Sequence, residues 1–323
     1  MHPKPYDLML CPTAPGNPRN SEGGIVELED GRLLLAYSDF YGGPEDHAAA
    51  RISGRVSEDV GRTWSDEFTL QENIARQNVM SATLMRLQSG EIALFYGHKN
   101  ASSDLKFYVK KSTDEGESWD EAVCVTPREG YHVMNNDRAI QLTSGRLLAP
   151  VSYSSECWSE REHYRSVCFY SDDNGRTWEK GPGEVDLPRR GAMEPGLVEL
   201  RDGSVMMILR TQLGWIYRSY SVDRGLTWTE AEPMDADAHH PLVAPESPAT
   251  IKRIPMTGDL LMIWNNTYEE GADHGGKRNP LTSAISRDEG KTWEYFRNVE
   301  TDPRYTYAYT SVTFAGEEVL MTY

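Results

Sequence analysis

The chain is short of cysteine, of positive charge and of long apolar runs, and each shortage removes a class of function. Its four cysteines, Cys11, Cys124, Cys157 and Cys168, show no CxxC spacing. Zinc and dithiol redox chemistry are therefore not indicated, and the thiols are expected to pack as small buried hydrophobes. Lys and Arg total 33 against 50 Asp and Glu, for a net charge of −17. Such a surface repels phosphate backbones, so no nucleic-acid partner is expected, and any anion site must be a local cluster of arginines. No apolar run approaches the roughly 20 residues that span a bilayer, so no membrane association is expected. The opening stretch MHPKPYDLMLCPTAPGNPRN lacks a basic segment leading into an apolar core. No signal peptide is visible there, which favours the cytoplasm unless a signal was removed. HExxH and paired His/carboxylate spacings are also missing, so no metal and no cofactor are expected. His239–His240 sits in a Pro-rich loop and is read as solvated.

What the chain has instead is repetition. The pattern Ser-x-Asp-x-Gly-x-Thr/Ser-Trp occurs at Ser57–Trp64, Ser112–Trp119, Ser171–Trp178, Ser221–Trp228 and Ser286–Trp293. A second mark alternates with these boxes: an apolar segment, a tight turn with Gly, then another apolar segment. The copies are GIVELEDGRLLLAY, ATLMRLQSGEIALFY, AIQLTSGRLLAPV, LVELRDGSVMMIL, ATIKRIPMTGDLLMIW and SVTFAGEEVLMTY. β-rich runs around such a turn signal hairpins. Each unit then reads as hairpin, third strand, box, fourth strand, at the 50–60-residue spacing of propeller blades. Helical periodicity is absent. The expectation is an all-β, six-bladed β-propeller of four-stranded antiparallel blades, a single domain over residues 1–323. The sixth unit ends at Tyr323 without a box, so either the chain is short there or the stretch around Tyr6–Cys11 supplies an outer strand. Within each box, Asp accepts hydrogen bonds from its own turn, Gly supplies a positive φ and Trp anchors the turn, which makes the boxes structural.

Alternating strand direction places the Gly turns and the boxes on one rim, leaving the other rim for a site. Starts of first strands contribute Glu22, Ser81, Asp137, Arg138, Glu194, Glu246, Ser247, Tyr307 and Tyr309 to that rim. Ends of second strands and the loops after them contribute Asp46, His98, Trp158, Arg210, Trp264 and Arg278. Carboxylates, arginines and aromatic rings converging on a concavity suit carbohydrate better than other ligand classes.

The five boxes and six hairpins resemble the sialidase superfamily over essentially the whole chain. The resemblance implies a tyrosine nucleophile with a glutamate partner, an aspartate acid/base and an arginine triad for the substrate carboxylate. On that basis Tyr309 (YTSVTF) is similar to the nucleophile, with Tyr307 as its rival. Glu194 (MEPGLVELRDG) is similar to its glutamate partner, and Asp46 to the acid/base. Arg210 (MMILRT) and Arg278 (RNPLTSAISRDEG) are similar to carboxylate anchors. One departure stands out. Sialidases usually open the first inner strand with Arg-Ile-Pro, whereas this chain has RNSEGG, which puts Glu22 near the first triad arginine's place. Arg19 then reaches in from the preceding loop, and Arg138 is a further substitute; Asp137 and Glu246 complete the binding set.

The leading expectation is an exo-acting glycoside hydrolase that releases a terminal, acidic sugar through a tyrosyl-enzyme intermediate. Two alternatives keep the fold: a uronate-specific lyase with a tyrosine, His98 or His132 as base, and a carbohydrate-binding propeller without turnover.

Overall fold

The computed structural model describes residues 6–155, 157–237 and 240–323, and every sheet is built mainly from antiparallel hairpins. The first unit pairs Arg19–Glu27, Leu33–Phe40, Ala50–Ser57 and Phe68–Gln71 in chain order. The fourth repeats this with Met193–Glu199, Val205–Arg210, Tyr217–Ser221 and Glu232–Pro233, and the fifth with Thr250–Arg253, Leu260–Asn265, Leu281–Ser286 and Glu294–Glu300. The other units depart from the regular four-stranded expectation. In the third, the innermost strand is broken into Tyr131–Val133 and Ile140–Gln141. Tyr131 pairs in parallel with Leu105 of the second unit, so units two and three merge into one nine-stranded sheet. The sixth sheet has two strands, Ser311–Ala315 and Glu318–Thr322. Residues 6–11 form no strand; Leu10 and Cys11 instead pack as coil on the apolar layer beside it.

Packing follows from the pleat. Successive side chains on a strand point to opposite faces, so a strand sandwiched between two sheets must be apolar on both. Leu33–Phe40 shows this directly. Leu34 and Ala36 join Val79, Leu84 and Leu94 of unit two, whereas Leu33, Leu35 and Tyr37 join Ala315 and Leu320 of unit six. Further layers lie between units two and three, three and four, four and five, and five and six. Apolar contact thus runs through all six units and returns to the first. Burial of each large aliphatic side chain in these layers contributes about 1.5–3 kcal/mol. The chain ends add polar ties, because Thr313 and Thr322 donate to the carbonyls of Ile25 and Gly23 at 2.7 and 3.0 Å.

The boxes are turn devices. In the first, the Ser57 hydroxyl donates to Asp59 and accepts from Gly61 N–H at 2.8 Å, while Thr63 donates to Asp59 through backbone and hydroxyl at 2.7 and 2.6 Å. The other four repeat this arrangement. Glycine is favoured because Gly61 and Gly225 hold φ of +84° and +85°, and a Cβ there would also press to 2.8 Å on the side chains of Leu320 of unit six and Leu148 of unit three. Each of these boxes therefore leans on the second strand of the preceding unit. Of the four cysteines, Cys168 is buried as expected, but Cys11, Cys124 and Cys157 are only half-buried.

Candidate functional site

The inner strands share a backbone feature that sequence reasoning did not anticipate. Glu22, Ser81, Asp137, Glu194 and Tyr309 all adopt positive φ, between 42° and 60°. Strand pairing slips by a bulge beside Glu22, Ser81 and Glu194. L-residues rarely adopt this conformation and are held there only where the surroundings fix it. At the equivalent place in unit five stands Pro248, whose ring excludes positive φ. Unit five contributes the carboxylate of Glu246 instead.

These residues meet in one charged network. Arg210 donates to Glu194 at 2.5 Å and lies 3.6 Å from Glu246, whose side chain is fully buried. Glu246 also pairs with Arg190 and accepts from Gln212 at 3.1 Å and His274 at 2.7 Å. Arg190 extends the chain to Glu162. These partners outweigh the upward push of burial and hold the Glu246 carboxyl below its usual range. Arg278 donates to the Glu246 carbonyl at 3.1 Å and lies over the Tyr309 ring, 5.5 Å from its centroid. It makes no ion pair with any described carboxylate. Burial and the Glu194 charge raise the Tyr309 phenol, against the opposing pull of Arg210 and Arg278.

Across the cluster, Arg19 pairs with Asp46 and lies 3.8 Å from Glu22. Glu22 is buried and accepts from the Ser81 hydroxyl at 2.5 Å. Burial raises its carboxyl, partly countered by Arg19 and Ser81. Asp46 keeps a half-exposed side chain, while its carbonyl is held by Asn78 and by the buried Lys99.

Several expected residues lie elsewhere. Tyr307 is buried among Ile263, Leu281 and Val312 and meets Tyr323 edge to face, because the left-handed turn at Tyr309 breaks the alternation that would put both tyrosines on one face. Asp137 is committed to Lys252 and to the Val312 N–H, at 2.6 and 3.0 Å, tying units three, five and six together. Arg138 is 2% exposed and donates to Thr250, so it is not on an open rim. Trp264 is a core residue, whereas Trp158 is exposed. His132 is buried against Tyr153 and Phe169, with burial lowering it to about 4, and His98 packs on Tyr108. Neither histidine joins the network. His239 lies outside the described residues, and His240 is exposed and bonded to Asp237.

Sequence reasoning missed Arg190, Gln212, His274, Glu162 and Lys99. PRRGAMEP carries Arg190 just ahead of Glu194, and that proximity was the available signal for it. His274 and Glu162 come from long loops that no pattern marks. A separate cleft of about 710 Å³, lined by Thr143, Glu199, Arg201, Lys252 and Arg253 among others, opens at the Gly-turn end of the inner strands. Its polar groups are already engaged: Glu199 accepts from Thr143, Arg201 and Arg253 pair with Glu289, and Lys252 pairs with Asp137. Chemically, the network offers a phenol beside a carboxylate, a half-exposed carboxylate opposite, and one arginine with no acidic partner.

Comparison with known proteins agrees with this architecture. The BNR repeat-like domain family matches residues 31–321. A sialidase of Clostridium perfringens is 29% identical over 238 residues, covering 65% of this chain and 60% of that protein. A sialidase of Paraclostridium sordellii is 32% identical over 239 residues, covering 65% of this chain and 57% of that protein. The aligned region thus spans less than two thirds of either relative. Among solved structures, a protein of unknown function from Dyadobacter fermentans shares the fold with a TM-score of 0.75 at 18% identity, over 96% of this chain and 91% of that one. With its boxes, its hairpins and its matched length, the chain belongs to the BNR-repeat family of the sialidase superfamily.

Proposed function

We propose that the chain is an exo-acting glycoside hydrolase of the sialidase type, built as one closed six-bladed propeller, which releases a terminal acidic sugar. The observation that carries this reading is the convergence of Glu194, Arg210 and Arg278 on Tyr309. A phenol with a raised pKa is protonated near neutrality and needs a base to become a nucleophile. Glu194 takes the Tyr309 proton as the phenolic oxygen bonds to the anomeric carbon. The glycosidic C–O bond breaks, and the departing oxygen takes a proton from Asp46. In the second half-reaction Asp46 removes a proton from water, the water oxygen displaces Tyr309, and Glu194 returns the proton to the phenol.

Arg278 is the anchor for a substrate carboxylate, since its guanidinium has no acidic partner and can bind one in two-pronged fashion. Arg19 is a second contact. The uronate-lyase alternative gains nothing from His98 or His132, which pack outside the network.

The test is a panel of terminal glycosides, sialosides among them, together with uronic-acid polysaccharides. The reading expects a released reducing sugar and loss of turnover in Tyr309→Phe. Undiminished hydrolysis by Tyr309→Phe would remove Tyr309 from its role. An ultraviolet-absorbing unsaturated product would replace hydrolysis with elimination.

A further inference from the structure

Asp46 stands on the loop between Leu33–Phe40 and Ala50–Ser57, and that loop is exposed from Pro44 to His47. A proton donor has to keep a fixed distance to the oxygen it serves, so a loop this exposed needs a hold from outside. Unit two supplies one. The Asp46 carbonyl accepts from the Asn78 amide at 2.8 Å and from the Lys99 ammonium at 3.0 Å. Asn78 also donates to the Ala48 carbonyl at 2.9 Å. Both lone pairs of the Asp46 carbonyl are thereby taken, by side chains from the strands Asn78–Arg86 and Ile92–Ala101.

Lysine is a costly residue to bury for this purpose. Burial pulls the Lys99 ammonium below the ordinary lysine range, with Asp46 the largest opposing influence. No described carboxylate forms an ion pair with it. The ammonium lies instead over the rings of Tyr131 and Trp158 of unit three, 5.3 and 5.4 Å from their centroids. An aliphatic side chain would fill the same space without the desolvation cost. What the ammonium adds is a hydrogen bond to the Asp46 backbone, while the two rings help to hold its charge. Unit two has a second buried lysine for comparison. Lys110 donates to the Leu70 carbonyl at 2.6 Å and lies 5.3 Å from the Trp119 centroid, so it ties down the outermost strand of unit one.

We propose that Lys99 is a positioning residue for proton transfer: together with Asn78 it fixes the main chain at Asp46, so that the carboxyl meets the departing glycosidic oxygen. The inference rests on the proposed reaction, in which Asp46 is the acid, and it gives a part to two residues that act through Asp46.

The test compares two leaving groups on the sugar that the wild-type protein releases. A methyl glycoside needs a proton as its C–O bond breaks, whereas a nitrophenyl glycoside departs as a stable phenolate. The ratio kcat/KM reads the steps up to that cleavage. In Lys99→Met it is expected to fall about 10²-fold for the methyl glycoside, the scale of a misplaced reacting group, and less than about fivefold for the nitrophenyl one. Asn78→Ala should show the same bias, and it decides the matter if Lys99→Met does not fold. Lys110→Met is the control for lost packing and should affect both glycosides alike. Asp46→Asn is the reference. If it shows the bias and the Lys99 and Asn78 variants do not, the positioning role is overturned and the reaction stands. If Asp46→Asn itself shows none, the acid assignment fails and the positioning role goes with it.

Discussion

The two ends of the inner strands handle charge in opposite ways. On the turn end, acids are matched locally, mostly by groups of their own turn or an adjacent unit. Glu115, for example, takes both nitrogens of Arg86 and the Glu29 N–H of the preceding unit. Hydrogen bonds from Ser118 and Ser112 hold the Asp114 carboxyl down at about 2. Asp173 and Asp223 are likewise held at about 2, by Thr177 with Ser171 and by Thr227 with Ser221, against the opposing push of burial. At the other end the charges are shared across units, in the run Glu194–Arg210–Glu246–Arg190–Glu162. There Glu22 and Tyr309 are pushed up by burial instead. One rim thus matches its acids within each turn, whereas the other shares them between units and holds Glu22 and Tyr309 raised.

The contrast breaks most visibly at Arg210. Arg210→Met leaves Glu194 and Glu246 without their shared cation in a buried setting, a change that typically costs about 3–5 kcal/mol. Urea unfolding should show it; a loss below 1 kcal/mol would mean that the network does not depend on this residue. Asp46→Asn should separate chemistry from stability. With a half-exposed side chain it leaves Tm near the wild-type value, while turnover of any accepted glycoside falls by about 10²–10⁴-fold, the usual contribution of a general acid.

The turn end is tested by Gly225→Ala. The new methyl meets Leu148 at 2.8 Å on a backbone with φ of +85°. Left-handed strain and crowding together cost about 1–3 kcal/mol, with no effect on turnover. The smallest effect is on pH dependence, and the two ends should differ in sign. The box aspartates have depressed folded pKa values, so their contribution is complete above about 4, the ordinary aspartate value, and is lost as pH falls towards 2. Glu22 has a raised folded value, so its contribution is present at low pH and is lost as pH rises through that value. Tm profiles of Asp114→Asn and Glu22→Gln should therefore deviate from wild type on opposite sides. Asp114→Asn loses its deficit at acid pH, and Glu22→Gln is the more stable protein at neutral pH.

Much of the scaffold was legible because it is written as repetition. Six Gly turns and five boxes recur for backbone reasons, and backbone reasons leave composition marks. The box hydrogen bonds followed from Ser, Asp, Gly and Thr at fixed offsets. The merger of units two and three was not legible, since nothing in YHVMNNDRAIQL announces that the inner strand will break. At the site, Glu22, Glu194, Glu246, Arg210, Arg278 and Tyr309 were reachable by counting strand ends. Tyr307 and Arg138 were misplaced by the same count, because period-two alternation fails at a left-handed residue. His274 and Glu162 depend on loop paths set by tertiary packing, which one sequence does not encode in any local pattern, whereas Arg190 stood close enough to Glu194 to be found.

That left-handed residue has a consequence of its own. Because Glu22, Ser81, Asp137, Glu194 and Tyr309 all hold a left-handed conformation that costs any L-residue, the surrounding strands and not the individual side chain fix the main chain there. The ring of inner strands behaves as a row of sockets, each accepting a different tool without retooling its neighbours. An acid where a base would be expected, as at Glu22, is then a change of fitting in one socket, and the frame around it need not have been rebuilt to admit it.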